Sequence, residues 1–152
     1  PIRPVLHAAS YAEAGDVWFG VEGKRLSRQA WGIVPKVRAV DNLLQQVPSR
    51  RANTFEAHPE VSFYFMANRT PMLSKKKSPA GRHQRATILR EHFGVAVDGA
   101  LSDIRALNCA VEDLLDAFAC LWTARRIENG RAVTLPVAPP LDSFGLPMRI
   151  VA

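Results

Sequence analysis

The chain has 152 residues, enough for one domain with a real core, and its 47% hydrophobic and 22% charged residues are ordinary for a folded soluble protein. No apolar run approaches the roughly 18 residues of a membrane span, and Pro1-Ile2-Arg3-Pro4-Val5 has no apolar h-region. A membrane protein and a secretory leader are therefore not expected, and a cytoplasmic setting is. Lys and Arg number 20 against 14 Asp and Glu, a net charge of +6 that mildly favours a polyanionic partner. Cys109 and Cys120 are the only cysteines and form no C-x-x-C pair, so they read as reduced, small core residues.

Residues 1–25 carry scattered Gly and Pro and no sustained period. From Leu26 the pattern changes. Val34, Val37, Val40, Leu44 and Val47 recur at helical spacing, with Ser27 as N-cap and Pro48 just past the end. Pro35 should kink this helix or mark where two pieces meet.

Asn53 to Ala57 reads as a short strand, with Phe55 facing one side and Glu56 the other. His58-Pro59-Glu60 starts a short aromatic helix reaching Ala67, with Pro at its first position. Ser74-Lys75-Lys76-Lys77 is a basic loop. Ser78-Pro79 repeats the cap-then-Pro signal, and a helix should run to Phe93 and stop at Gly94. Residues 95–108 are ambiguous. A long helix covers about Ala110 to Glu128. The stretch from Leu135 to Pro140 is extended, and Leu146 to Val151 could form a last short strand, with Pro147 suited only to its edge or start.

The long helix carries an acidic pair. On a helical wheel, Leu114, Leu115, Phe118, Leu121 and Trp122 gather on one broad face. Asp113, Asp116, Ala117, Cys120, Thr123 and Ala124 gather on the other, which is small and partly acidic. A carboxylate pressed against a neighbour there costs several kcal/mol unless it is paired, protonated or bound to a cation. The helix dipole accounts well for Glu112 and Asp113 in the first turn, and less well for Asp116, one turn further in.

The segment Glu56-Ala57-His58-Pro59-Glu60 places two acids and a histidine where a strand gives way to a helix, the kind of junction that lines sites in α/β proteins. Each has an ordinary alternative reading: Glu60 as an acid serving the helix N-terminus, His58 as its cap, and Glu56 as a solvent-facing strand residue. Zinc through His58 lacks a second His at ligand spacing. There is no G-x-S-x-G, no P-loop and no G-x-G-x-x-G, so nothing supports a serine hydrolase or a nucleotide-fold enzyme. Lys75, Lys76 and Lys77, followed by Arg82 and Arg85, form the strongest positive cluster. They read either as a solvated loop or as contacts to a phosphate backbone.

Several blocks together resemble one family. They are Gly23-Lys24-Arg25-Leu26-Ser27-Arg28-Gln29-Ala30-Trp31 with Pro35-Lys36-Val37 and Val40-Asp41; Glu56-Ala57-His58-Pro59-Glu60-Val61-Ser62-Phe63; Ser74-Lys75-Lys76 with Gly81; Asp113-Leu114-Leu115-Asp116-Ala117 with Trp122-Thr123-Ala124-Arg125; and Gly145-Leu146. The chain resembles the predicted RNase H-like nuclease family, catalogued as domain of unknown function 429. The resemblance implies an α/β fold, a mixed central sheet flanked by helices, as a single domain over residues 1–152. It implies an acidic site holding Mg²⁺ or Mn²⁺, with Glu56 and Asp116 as metal ligands and catalytic residues. Asp113 would be a further catalytic acid, and His58 and Glu60 would orient water or ligand. Lys75, Lys76, Lys77, Arg82 and Arg85 would contact nucleic acid.

The family's first strand, with its Gly-Ile-Asp-Gly-like sequence and following hairpin, has no counterpart here. The expected domain is therefore incomplete at its N-terminus, lacks the first strands and their aspartate, and would expose strand edges that a partner chain or self-association could cover. The leading expectation is two-metal phosphodiester hydrolysis, weakened by the missing ligand. The rival expectation is a non-catalytic nucleic-acid-binding or interaction module on a decayed nuclease fold.

Overall fold

Capping chemistry sets where the first helices begin and end. The computed structural model describes residues 3–152. After a short helix α1 (Arg3–His7), α2 spans Tyr11–Glu22. Ser10 caps α2 by accepting from the Glu13 amide, while the Glu13 carboxylate reaches back to the Ala9 amide at 2.8 Å. This reciprocal arrangement is close to a capping box and satisfies amides that the helix start would otherwise orphan. Gly23, at φ 66°, ends α2 in the left-handed conformation that glycine adopts without penalty.

Helix α3 (Arg28–Gln46) begins at Ser27, whose hydroxyl accepts from the Ala30 amide. Pro35 lies inside it, and the helix continues as one element rather than two. Val5, Leu6, Ala8, Ala14, Leu26 and Val34 form the core of a first compact unit that runs up to Thr54. Arg3 pairs with Asp41 at 2.8 Å across it. A 3-10 helix, Pro48–Asn53, follows α3.

The second unit runs from Phe55 to Ala152. Its helices are α4 (Pro59–Met66), α5 (Pro79–Phe93), α6 (Val95–Ser102), α7 (Ile104–Leu107) and α8 (Val111–Glu128). Helix α8 packs against α4, α5 and α6. The core joins Phe63 and Met66 of α4, Ala86 and Leu89 of α5, Val97 of α6, and Leu115, Ala119 and Trp122 of α8. Inside this apolar contact the Ser62 and Thr123 hydroxyls meet at 2.8 Å, both buried.

The chain is mostly helical. Among the described residues the sheet is two short antiparallel strands, β1 (Thr134–Leu135) and β2 (Ile150–Val151), and the mixed central sheet expected from the sequence is not formed. Asn53 closes the 3-10 helix instead of opening a strand. Residues 54–58 are extended, with Phe55 and Ala57 turned inward and Glu56 and His58 outward, as the expected alternation requires. Their link to the sheet is the Val151 amide donating to the Glu56 carbonyl at 2.8 Å. The last strand is shorter than expected for a local reason. The Leu146 amide donates to the Asp142 carboxylate, and Pro147 has no amide to give, forming only an isolated bridge with Leu141.

Two further expectations are corrected. The buried stripe of α8 is Glu112, Leu115, Ala119, Trp122 and Thr123, so Leu121 is exposed and the small face with Ala117, Cys120 and Ala124 looks outward. Cys109 and Cys120 are both free and exposed rather than core residues. No helix among the described residues is long and apolar enough to cross a membrane.

Candidate nucleic-acid interface

The basic loop is held in one conformation from several directions. Ser78 caps α5 by accepting from the Gly81 amide at 3.0 Å, and donates both its amide and its hydroxyl to the Lys75 carbonyl, at 2.9 and 2.7 Å. Gly81 is required by this close approach: a Cβ built there would lie 2.0 Å from the Lys75 carbonyl oxygen. From the far side the Arg85 guanidinium donates to the Ser74 carbonyl at 3.2 Å.

The charges of this segment divide into two groups. Lys76 turns inward, its Nζ 2.6 Å from Asp116 Oδ2. Lys75 and Lys77 point into solvent on either side of it. Arg82 gives two hydrogen bonds to Glu112 Oε1, at 3.0 and 2.8 Å. Arg85, expected at a nucleic-acid contact, is 3% exposed and closes on Glu60 through two bonds of 2.9 and 2.6 Å. Its guanidinium also donates to the Gly81 carbonyl and stacks over the Phe63 ring. Arg85 therefore positions the loop from within and does not present its charge to a ligand.

The acids sit as follows. Asp116 is half-buried, with Oδ2 on Lys76 and Oδ1 enclosed without a hydrogen-bond partner. Asp113, one turn earlier on α8, is exposed. Glu112, read beforehand only as a dipole-stabilising acid, is the better connected of the two. Its carboxyl is held below the ordinary carboxylate range by its own backbone amide and by Arg82, with Lys77 contributing through its charge. Although Cys120 is exposed overall, partial burial of its thiol and then the neighbouring Asp116 carboxylate push that thiol up. Glu56 and His58 are exposed on the extended segment, and Glu60 on the first turn of α4 is spoken for by Arg85.

The structure thus joins Lys76 to Asp116, Arg82 to Glu112 and Arg85 to Glu60 by direct ion pairs. Among the described residues no three His, Cys, Asp or Glu side chains gather into a group that could hold a metal ion. The nearest charged partners of Asp116 and Glu60 are the basic side chains of Lys76 and Arg85. Sequence inspection read Ser78 as the helix cap, and missed its bonds to the Lys75 carbonyl and the need for Gly81 beneath that carbonyl. Their signal was present as cap-then-Pro followed three residues after the serine by a glycine.

Neither the curated proteins nor the solved structures contain a match to this chain. The model of one family, described as Protein of unknown function (DUF429), matches residues 1–140, and the chain belongs to that family.

Proposed function

We propose that this chain binds the phosphate backbone of nucleic acid through the loop 74–77, on a frame of RNase H-like type. The carrying observation is the pair of exposed lysines, Lys75 and Lys77, on a loop locked by Ser78, Gly81 and Arg85. A preorganised loop does not have to be ordered on binding, so more of its electrostatic attraction is kept as affinity. The net charge of +6 works in the same direction. The RNase H-like assignment draws support from the extended segment 54–58 beside β2, with Glu56 on one flank and the acids of α8 in the same unit.

The test is fluorescence anisotropy of the full chain with labelled DNA and RNA across a salt series. Affinity should fall steeply with salt, and a Lys75→Ala/Lys77→Ala double variant should lower the slope by about 2. Binding that ignores salt, or a double variant with the parent slope, overturns the reading.

A second reading, metal-dependent phosphodiester hydrolysis with Mg²⁺ or Mn²⁺, is favoured by one observation: Asp116 Oδ1 is enclosed and has no partner. It requires carboxylates beyond those gathered here, supplied by a partner chain. Cleavage of RNA, DNA and branched DNA by the parent but not by Asp116→Asn would support it. Equal cleavage by both removes Asp116 from any such mechanism.

A further inference from the structure

Beside the loop, a groove of about 550 Å³ opens on the outer face of α4 and the β1 strand. The groove is shallow and largely open to solvent. Its wall is built from Tyr64 and Phe65 of α4 together with Val133 and Leu135. The two rings meet edge to face, with centroids 5.3 Å apart, and both remain partly exposed. Phe63 and Met66 fill the core and Phe65 packs against its edge, so Phe65 gives part of its ring to the groove, while Tyr64 lies outside the core cluster.

Arg69 also lines the groove. It follows α4 in the left-handed conformation, φ 64°, directly after Asn68 at φ 52°. A non-glycine residue adopts that backbone at a cost, and such strain often marks a binding site. The turn is held by the Arg69 amide donating to the Tyr64 carbonyl at 2.8 Å. The Arg69 side chain is exposed, and no acid among the described residues pairs with it. Glu60 is the one acid of the lining, and its carboxylate is taken up by Arg85. The groove therefore offers an apolar, aromatic wall and one uncommitted guanidinium.

Arg85 ties this groove to the basic loop. One guanidinium donates to Glu60 at the groove and to the Ser74 carbonyl at the start of the loop. A single side chain thus joins one lining residue of the groove, Glu60, to the backbone at the start of the loop.

We propose that the Tyr64–Arg69 groove takes one unpaired nucleotide of a single strand, its base against Tyr64 and Phe65 and its phosphate on Arg69. A flat, π-faced body carrying an anionic group fits an aromatic wall beside a free guanidinium. A base held in a duplex cannot reach such a wall, so the groove selects single strands. The proposal rests on the backbone-binding reading above and adds to it the strandedness of the ligand.

The experiment is anisotropy of the full chain with a labelled oligothymidylate of about twelve nucleotides, within the span of single-strand sites, and with its duplex with oligoadenylate. The single strand should bind about tenfold tighter than the duplex, and Tyr64→Ala should remove that advantage. Tyr64→Phe, which keeps the ring, should retain it. Arg69→Asn suits the left-handed backbone and lies on the surface, so it carries the test if Tyr64→Ala does not fold; it too should weaken single-strand binding, by about tenfold. Equal affinity for the two ligands, or Tyr64→Ala and Arg69→Asn at the parent affinity, overturns the groove while leaving the backbone reading in place. Binding to neither ligand overturns both.

Discussion

Arg85 grips Glu60 with two nitrogens, at 2.9 and 2.6 Å, from a position almost wholly withdrawn from solvent. The same guanidinium holds the Ser74 and Gly81 carbonyls, so three segments of the second unit converge on it. Removing it would leave Glu60 unpaired and two carbonyls short of a donor. Arg85→Ala is expected to cost about 3 kcal/mol of unfolding free energy, read from urea denaturation. Glu60→Gln, which keeps an acceptor, should cost about 1 kcal/mol. Equal losses in the two variants would contradict this account of the pair.

Gly81 supports a second expectation. A methyl group there would meet the Lys75 carbonyl at 2.0 Å, and a backbone oxygen cannot swing aside as a flexible side chain can. Gly81→Ala should lower stability by about 2 kcal/mol, seen as a drop in melting temperature. It should also release the loop, so nucleic-acid affinity should fall further than in a Lys75→Ala variant. The reverse order would separate loop geometry from binding.

Acid should weaken the contacts of α5 with α8 and with α6. The Glu112 carboxyl is pulled below its ordinary range by its own amide and by Arg82, and that of Asp98 by Arg90. A carboxyl depressed on folding stabilises the fold above its unfolded pKa, near 4.3 for Glu, and that contribution is lost as pH falls through the folded value. Stability should therefore decline from about pH 5 downward. Glu112→Gln should flatten the decline in a series of melts at stepped pH. An unchanged profile would show that Glu112 is not among the groups responsible.

Cys120 provides a local reporter of Asp116. Burial and the adjacent carboxylate both raise its thiol, so little thiolate should be present at neutral pH. Iodoacetamide labelling followed by peptide mass spectrometry should show Cys120 reacting several-fold faster in Asp116→Asn than in the parent. No acceleration would place the origin of the shift in burial alone.

Helices α3, α4, α5 and α8 were legible because their boundaries are written in short-range chemistry, whereas α6 and α7 fall in the stretch 95–108 that the sequence left ambiguous. Ser27 and Ser78 cap the helices assigned to them, Gly94 ends α5, and Pro59 stands in the first turn of α4. Helix α2 was overlooked, because Ala, Gly and aromatic residues blur its period. Its Ser10-x-x-Glu13 cap was nevertheless present in the sequence. The sheet was read too generously. Alternation at Phe55, Glu56 and Ala57 describes an extended chain correctly, but a strand also needs neighbours, and one-dimensional patterning does not count them.

The site was legible in composition and not in pairing. Lys75, Lys76 and Lys77 are alike as letters, yet the middle one turns to Asp116 and its neighbours turn to solvent. Arg85 looked like a surface cation because it follows a basic run. Its place four residues after Gly81 puts it on the inner face of α5 beside Phe63, where a long side chain must find acceptors inside the protein.

The hydroxyl pair of Ser62 and Thr123 has a consequence for the whole second unit. A purely greasy seam between two helices tolerates sliding, since one aliphatic ridge can settle into the next groove at little loss. A directional bond in the middle of that seam acts as a dowel: one step of slippage breaks it and leaves the Thr123 hydroxyl without Ser62, which keeps only its contact to the His58 carbonyl. The loop and the groove hang from α4, α5 and α8. Their mutual spacing is thus indexed by two small polar side chains that touch no ligand.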